Sequence, residues 1–142
     1  MKEIIKMLDV NLVYINEEIV GDTINIYVKS KRKIIKCAYC GAESRKVHSR
    51  KMQKIQDLPI AGKKVNIMLE RRKIFCGNAK CSHKTFTETF EFMGVKSRKT
   101  KRLQEEILRV SLTQSAVSAS KYLKRSVANV GKSTICNMLK KR

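Results

Sequence analysis

Tryptophan is absent from this 142-residue sequence, proline occurs once, and aromatic residues make up only 6% of it. The rings nearest to apparent strands, Phe75, Phe86 and Phe90, read as buried. That leaves little exposed aromatic surface for stacking on unpaired bases. No run of about 18 apolar residues occurs, so no transmembrane helix is expected. Acidic residues such as Glu3 and Asp9 break up the apolar positions at the N-terminus, which makes a poor secretory signal. A cytoplasmic setting follows, in which thiols stay reduced and free to hold metal. Carboxylates are scarce, with 12 Asp and Glu in the whole chain. Asp9, Asp22 and Asp57 are scattered and share no motif, so nothing suggests a catalytic metal held by acids.

Against those 12 acids stand 32 Lys and Arg, a net charge of +20. An excess of this size marks a partner of dense negative charge. A membrane surface would call for one amphipathic helix with a basic face and bulky apolar residues opposite. Here the bases spread over strands, loops and helices alike, which fits nucleic acid better. A hydrophobic content of 42% is enough for a core, so the chain is not simply a disordered basic tail. Its length allows one domain or two small ones.

Cysteine carries the sharpest signal. Cys37 and Cys40 form one close pair, and Cys76 and Cys81 a second, with 35 residues between them. Zinc takes four soft ligands in a tetrahedron, and a tight turn brings cysteines with two to four residues between them onto one ion. Gly41 suits the turn after the second ligand, where positive φ is needed. The long separation calls for a folded insert between the pairs. Disulfides, buried free thiols and a redox pair at Cys37 and Cys40 are the competing readings. The first lacks a secretory context. The last lacks a helix opening at the pair. His83, two residues beyond Cys81, is a possible substitute ligand. Cys136 is unpaired and reads as a small semi-buried residue.

Strand-like alternation surrounds the cysteines. Residues 2–8 read as a short helix against the zinc module and residues 12–15 as a strand. Ile24, Ile26 and Val28 share one face of the next strand, after a turn at Gly21-Asp22. Residues 44–48 read as a strand. Asp57-Leu58-Pro59-Ile60 is expected to turn the chain, with Gly62 in a hairpin. Val65, Ile67 and Leu69 then alternate inward, and residues 85–90 place Phe86 and Phe90 in the core. The whole predicts a twisted antiparallel sheet closed by zinc. Beyond Gly94 the pattern changes to the helical period, with Leu103, Ile107 and Val110 at i, i+4, i+7. A second helix is expected over 115–124, burying Ala116, Ala119 and Leu123. A third is expected over 132–140, with Ile135, Met138 and Leu139 inward.

Three short helices with a polar, basic last one suggest a helix-turn-helix unit. In such a unit the last helix enters the major groove. Its outward positions would be Lys132, Ser133, Asn137, Lys140 and Lys141, with Thr134 near the start. Asn137 could pair bidentately with adenine, while lysines contact phosphate. Arg98 and Lys99 before the helices, and Arg50, Lys51, Arg71 and Arg72 in the β region, complete the candidate DNA contacts. The plain alternative is an amphipathic helix with a solvated basic face. Gly131-Lys132-Ser133 imitates a phosphate-binding loop, but Ser126 stands where that loop needs its first glycine.

Taken together, Cys37-x-x-Cys40-Gly41, His48-Ser49-Arg50, Asp57-Leu58-Pro59-Ile60 with Gly62, Arg71-Arg72-Lys73-Ile74-Phe75-Cys76, and Cys81 followed by Thr85-Phe86-Thr87-Glu88 resemble the N-terminal region of the ISL3 family of bacterial transposases. The segment 98–142 is similar to the helix-turn-helix that follows there. The resemblance implies recognition of an insertion sequence's terminal inverted repeats. It also implies a separate catalytic domain of carboxylates and divalent metal, which this chain, ending at Arg142, is expected to lack.

The expectation is therefore an α+β protein. Residues 1–94 form a small zinc-closed antiparallel β domain, zinc-ribbon-like, and residues 95–142 a three-helix helix-turn-helix unit. One structural Zn2+ is held by Cys37, Cys40, Cys76 and Cys81. The partner is double-stranded DNA at insertion-sequence ends, with no membrane involved and no activity of its own. Self-association, or association with an intact transposase, stays open. The alternative is a zinc-ribbon RNA-binding or ribosome-associated protein.

Overall fold

Two runs of alternating apolar residues set up the sheet. The chain is described in a computed structural model over residues 2–94 and 97–140. Helix α1 (Lys2–Leu8) leads into β1 (Leu12–Val20) and β2 (Thr23–Ser30). The short strands β3 (Ile35–Lys36) and β4 (Glu43–Ser44) follow, then the long β5 (Val47–Ile60) and β6 (Lys63–Phe75), and β7 (Thr85–Thr87). Three helices close the chain: α2 (Lys101–Ser111), α3 (Ala116–Ser126) and α4 (Lys132–Lys140).

The main sheet has the order β1-β2-β6-β5, with β7 beside β6, and β3 and β4 pair separately. It is mostly antiparallel, with one correction to the expectation: β2 and β6 run parallel. The whole of β3 to β5 lies between them, a connection long enough for a parallel return. The register explains the choice. Ile24 sits beside Val65, Ile26 beside Ile67 and Val28 beside Leu69, so both apolar stripes fall on one face. That face holds the main core, which Ile5, Leu12, Ile55, Phe90, Phe92 and Met93 complete. Helix α1 therefore packs on this core rather than on the cysteines.

Further corrections concern β5 and its neighbours. Residues 44–48 are split, because Ser44 ends β4 and β5 begins at Val47. The first strand runs on to Val20 rather than stopping near Ile15. Asp57-Leu58-Pro59-Ile60 does not turn the chain but finishes β5. Pro59 is tolerated because β5 lies last in the sheet order and its pairing with β6 slips between Asp57 and Ile60. The reversal falls on Ala61 and Gly62, both at positive φ (51° and 76°), as a two-residue hairpin of the primed type requires.

The helices match the periodicity closely. Thr100 and Ser115 cap α2 and α3, accepting from the backbone N–H of Leu103 and Ser118. Leu103, Ile107, Val110, Ala119, Leu123 and Ile135 form a second core, with Met138 and Leu139 packed against it. Ala116 is only half-buried, and Ser120 is buried in its stead, donating to the Val130 carbonyl at 2.6 Å.

Sheet and helices are tied together at one place. Leu58 packs into the helical core. The Gln56 backbone donates to the Arg98 carbonyl and accepts from the Thr100 N–H, both at 2.9 Å. Asp57, 1% exposed, accepts from Thr100 Oγ1 at 2.7 Å and from Arg102 Nε at 2.8 Å, with Arg102 Nη2 on its second oxygen.

Candidate metal centre and nucleic-acid interface

Two turns place the four thiols. In the first, after β3, Cys37 N–H donates to the Ala42 carbonyl and Gly41 N–H to the Cys37 carbonyl, each at 2.9 Å. Gly41 takes φ of 77°, as its place in the turn suggested. In the second, after β6, Cys76 N–H donates to the Lys84 carbonyl at 2.8 Å and Cys81 N–H to the Asn78 carbonyl at 3.0 Å. Ile35, Ile74 and Phe86 form the small core beneath both turns, with Cys37 buried among them.

All four Sγ atoms lie within 4.8 Å of one another. Cys37 Sγ and Cys81 Sγ are 3.9 Å apart, and Cys40 Sγ and Cys76 Sγ 3.5 Å. A zinc–sulfur bond of about 2.3 Å in a tetrahedron implies sulfurs about 3.8 Å apart, whereas a disulfide would need about 2.05 Å. The spacing fits one four-coordinate ion. The Tyr39 and His83 backbone N–H groups donate to Cys37 Sγ and Cys81 Sγ.

The thiols do not ionise alike. A backbone hydrogen bond from Ala42 brings Cys40 down to about 6. At Cys76 a backbone hydrogen bond from Asn78 pulls down, but burial and the neighbouring thiols push the group up to about 12. One thiolate raises the cost of the next, and a dication removes that cost. His83 is not a fourth-ligand substitute. Its ring stacks on Tyr39 with centroids 3.5 Å apart, and its Nδ1 meets Ser82 Oγ.

Residues 26–81 match the family described as the zinc-finger of transposase IS204/IS1001/IS1096/IS1165. Over these residues the chain is similar to an ISL3-type transposase zinc ribbon. It is also 38% identical over 56 residues to the transposase for insertion sequence element IS1001 of Bordetella parapertussis. That match covers 39% of this chain but 14% of the relative. No solved structure matches. In the ISL3-type ribbon the cysteine cluster and the zinc-finger match agree on one structural zinc ion.

The insert between the cysteine pairs, β5 and β6, carries much of the charge. Arg50 and Lys51 are exposed on β5, and Arg50 reaches Glu70 at 3.4 Å. Arg71 is half-buried, donating to Gln53 Oε1 at 2.9 Å and to the Glu88 carbonyl at 3.1 Å, and burial lowers its pKa. Arg72 holds the fully buried Glu88 at 3.0 and 3.1 Å, so it serves the fold. Ser30 Oγ at 2.5 Å and Arg32 Nη1 at 3.4 Å also reach this carboxylate. Neither Arg32 nor Glu88 was distinguished in sequence from a solvated charge, because nothing local marks a buried pair 56 residues apart.

Among the remaining candidates, Lys132, Ser133, Asn137 and Lys140 are exposed on α4, and Thr134 is half-buried. Lys141 lies outside the described residues. Arg98 is exposed, while Lys99 is half-buried with its pKa lowered by burial. Cys136 is half-buried, as expected of a small residue on α4. Helix α3 and a turn precede Gly131-Lys132-Ser133, so the strand that a phosphate-binding loop needs is not there. Phe75 is half-buried rather than buried, between Lys46 Nζ at 5.3 Å and the His48 ring at 4.8 Å.

Lys51, Arg71, Arg72 and Arg98 share one groove of about 680 Å³, which Lys54 and Lys73 also line. Those two lysines did not stand out in the sequence as DNA contacts. Their signal was present, since each lies within three residues of a candidate, but only the pairing of β5 with β6 brings them to one groove.

Proposed function

We propose that this chain is a non-catalytic DNA-binding module of an ISL3-type transposase. In this reading α2, α3 and α4 act as a helix-turn-helix, and α4 lies in the major groove of duplex DNA at insertion-sequence ends. The ISL3-type ribbon is the rigid support, with zinc held by Cys37, Cys40, Cys76 and Cys81 and no open coordination position.

The observation that carries the reading is the division of α4. Ile135 is fully buried against α2 and α3, while Lys132, Ser133, Asn137 and Lys140 are left on the outside. Gly131 offers its carbonyl to the first turn of α4, to Ile135 N–H at 3.1 Å. A basic outer face on the last helix is what groove insertion needs, and the +20 charge supplies the electrostatic attraction. Asn137 would read a base edge, and the lysines would hold phosphates.

The test is selection of bound duplexes from a random DNA library at near-physiological salt, with RNA competitor. Enrichment of one motif, absent with a Lys132→Ala/Asn137→Ala double variant, supports the reading. One observation favours a second reading. Tyr39 is 58% exposed and stacked on His83 at the tip of the ribbon, a surface on which an unpaired base could stack. Preference for the RNA competitor, with no enriched DNA motif, would favour that RNA-binding alternative.

A further inference from the structure

The groove on β5 and β6 lies outside the helix-turn-helix, although Lys51, Arg71, Arg72 and Arg98 on it are candidate contacts by sequence, and its construction is costly for a fold alone. In the pairing of the two strands Arg50 stands opposite Arg72 and Lys51 opposite Arg71. Like charges directly opposite are destabilising. Glu70 offsets Arg50 and Glu88 offsets Arg72. The Lys51–Arg71 pair has no ion pair of its own among the described residues: Arg71 donates to a neutral amide and a neutral carbonyl, and the Glu88 charge acts on it only through space. Lys54, Lys73 and Arg98 converge on the same groove. Among the described residues that line it there is no carboxylate.

The sheet is polarised across its width. The outermost strand on the far side, β1, carries Glu17 and Glu18 and no base. The β5 side is therefore the one that would face a polyanion. The groove also leads toward α4. Gln56 lines it, and Gln56 Oε1 accepts from the Asn129 N–H at 2.9 Å, three residues before α4 begins. Lys64 Nζ reaches Asn129 Oδ1 at 3.4 Å from β6, on the same turn. From Ser49 to Gln56 the strand covers about 23 Å, roughly the axial rise of seven base pairs.

We propose that this groove is a second DNA site, which grips the phosphodiester backbone of the same duplex that α4 reads. It rests on the DNA-binding reading above and adds a site to it. Lys51, Lys54, Lys73 and Arg98 contact phosphates there, while Arg71 and Arg72 set the floor. These phosphate interactions are independent of base sequence and add affinity rather than specificity. Gln56 N–H on the Arg98 carbonyl and Asp57 on Thr100 and Arg102 hold Arg98 and α2 to β5, so the groove and α4 keep a fixed separation along the duplex.

The test compares three forms of the full 142-residue zinc-loaded chain: wild type, a groove variant (Lys51→Gln, Lys54→Gln, Lys73→Gln, Arg98→Gln), and a control variant of equal charge loss (Lys2→Gln, Lys6→Gln, Lys31→Gln, Lys33→Gln). Affinity for duplex DNA is measured as a function of salt. Each phosphate that is no longer neutralised lowers the slope of log affinity against log salt by about 0.9, so the groove variant falls by about 3 to 4 and the control by much less. Affinity at about 0.1 M salt falls by at least about a hundredfold in the groove variant, and any enriched motif stays the same. Equal effects in the groove and control variants would overturn the site and leave DNA binding standing. Failure of the wild type to bind duplex DNA would overturn the underlying reading as well. Lysine acylation of the wild type, with and without duplex, needs no variant that folds. Protection of Lys51, Lys54 and Lys73 supports the site, and unchanged labelling refutes it.

Discussion

Replacing Asp57 by Ala should loosen the helices from the sheet, at a cost that follows from what the carboxylate holds. Asp57 is 1% exposed and accepts from the buried Thr100 hydroxyl and from two Arg102 nitrogens. Removing one partner of a buried ion pair costs about 3–5 kcal/mol. The Arg102 side chain is 41% exposed, so water recovers much of its solvation, and the ionic part is discounted to about 1 kcal/mol. The Thr100 hydroxyl has no such recourse, and removing its acceptor costs about 1–3 kcal/mol. Thr100 also caps α2, so its displacement weakens that cap. The expected total is about 2–4 kcal/mol. The hydrogen bond to Asp57 that raises the Arg102 pKa marks the same interaction. Urea unfolding followed by circular dichroism reads the change as a lower midpoint at unchanged slope. D57N, which keeps an acceptor for Thr100 but removes the charge, should cost about half as much. Trypsin should cut D57A near Arg98 and Arg102 faster than wild type. A destabilisation below about 1 kcal/mol in D57A, within the reach of ordinary surface substitutions, would refute the anchor and the fixed geometry built on it.

Other outcomes follow from the site and its surroundings. One zinc per chain is expected by elemental analysis, and Cys76→Ser should lose it together with cooperative melting of the two cysteine turns; retained metal would contradict the four-thiolate shell. Zinc affinity should fall as pH falls, because protons compete for the thiolates. Cys40, at about 6, is already ionised at neutral pH, and Cys76, at about 12, must give up a proton when metal binds. Competition titrations should therefore show the pH dependence steepening by one more proton below about pH 6; a flat profile would remove the thiols as ligands. Glu88→Ala should destabilise the sheet by about 3 kcal/mol, the low end for a broken buried pair, since Arg32 is a quarter exposed and Arg72 less so. Thermal melting indistinguishable from wild type would show that Arg72 is not spent on the fold.

Much of the candidate site was legible without the fold. The two cysteine pairs specify their chemistry through local spacing, because ligands with two to four residues between them are brought together by one turn whatever surrounds it. The same holds for α4, whose bounds of Lys132–Lys140 follow from the 3.6-residue period and the glycine before it. Alternation at Ile24, Ile26 and Val28, and at Val65, Ile67 and Leu69, placed both apolar faces correctly. Asp57-Leu58-Pro59-Ile60 misled, because proline and aspartate are turn formers in isolation, and only the irregular pairing at the end of β5 accommodates them.

What the sequence determined by itself was short-range: thiol spacing, the face each strand and helix buries, and an overall charge that calls for a polyanion. Alternation gives the face of a strand but not its neighbour, so only the tertiary structure decided that β2 lies parallel to β6. Charge counts do not separate a lysine open to a phosphate from an arginine committed to a buried carboxylate. Folding made that division, by burying Glu88 against Arg72 and leaving Lys51, Lys54, Lys73 and Arg98 around one groove. The physical reason is range. Backbone period and turn chemistry act over a few residues, whereas desolvation and charge pairing depend on groups that meet only after the chain has closed on itself.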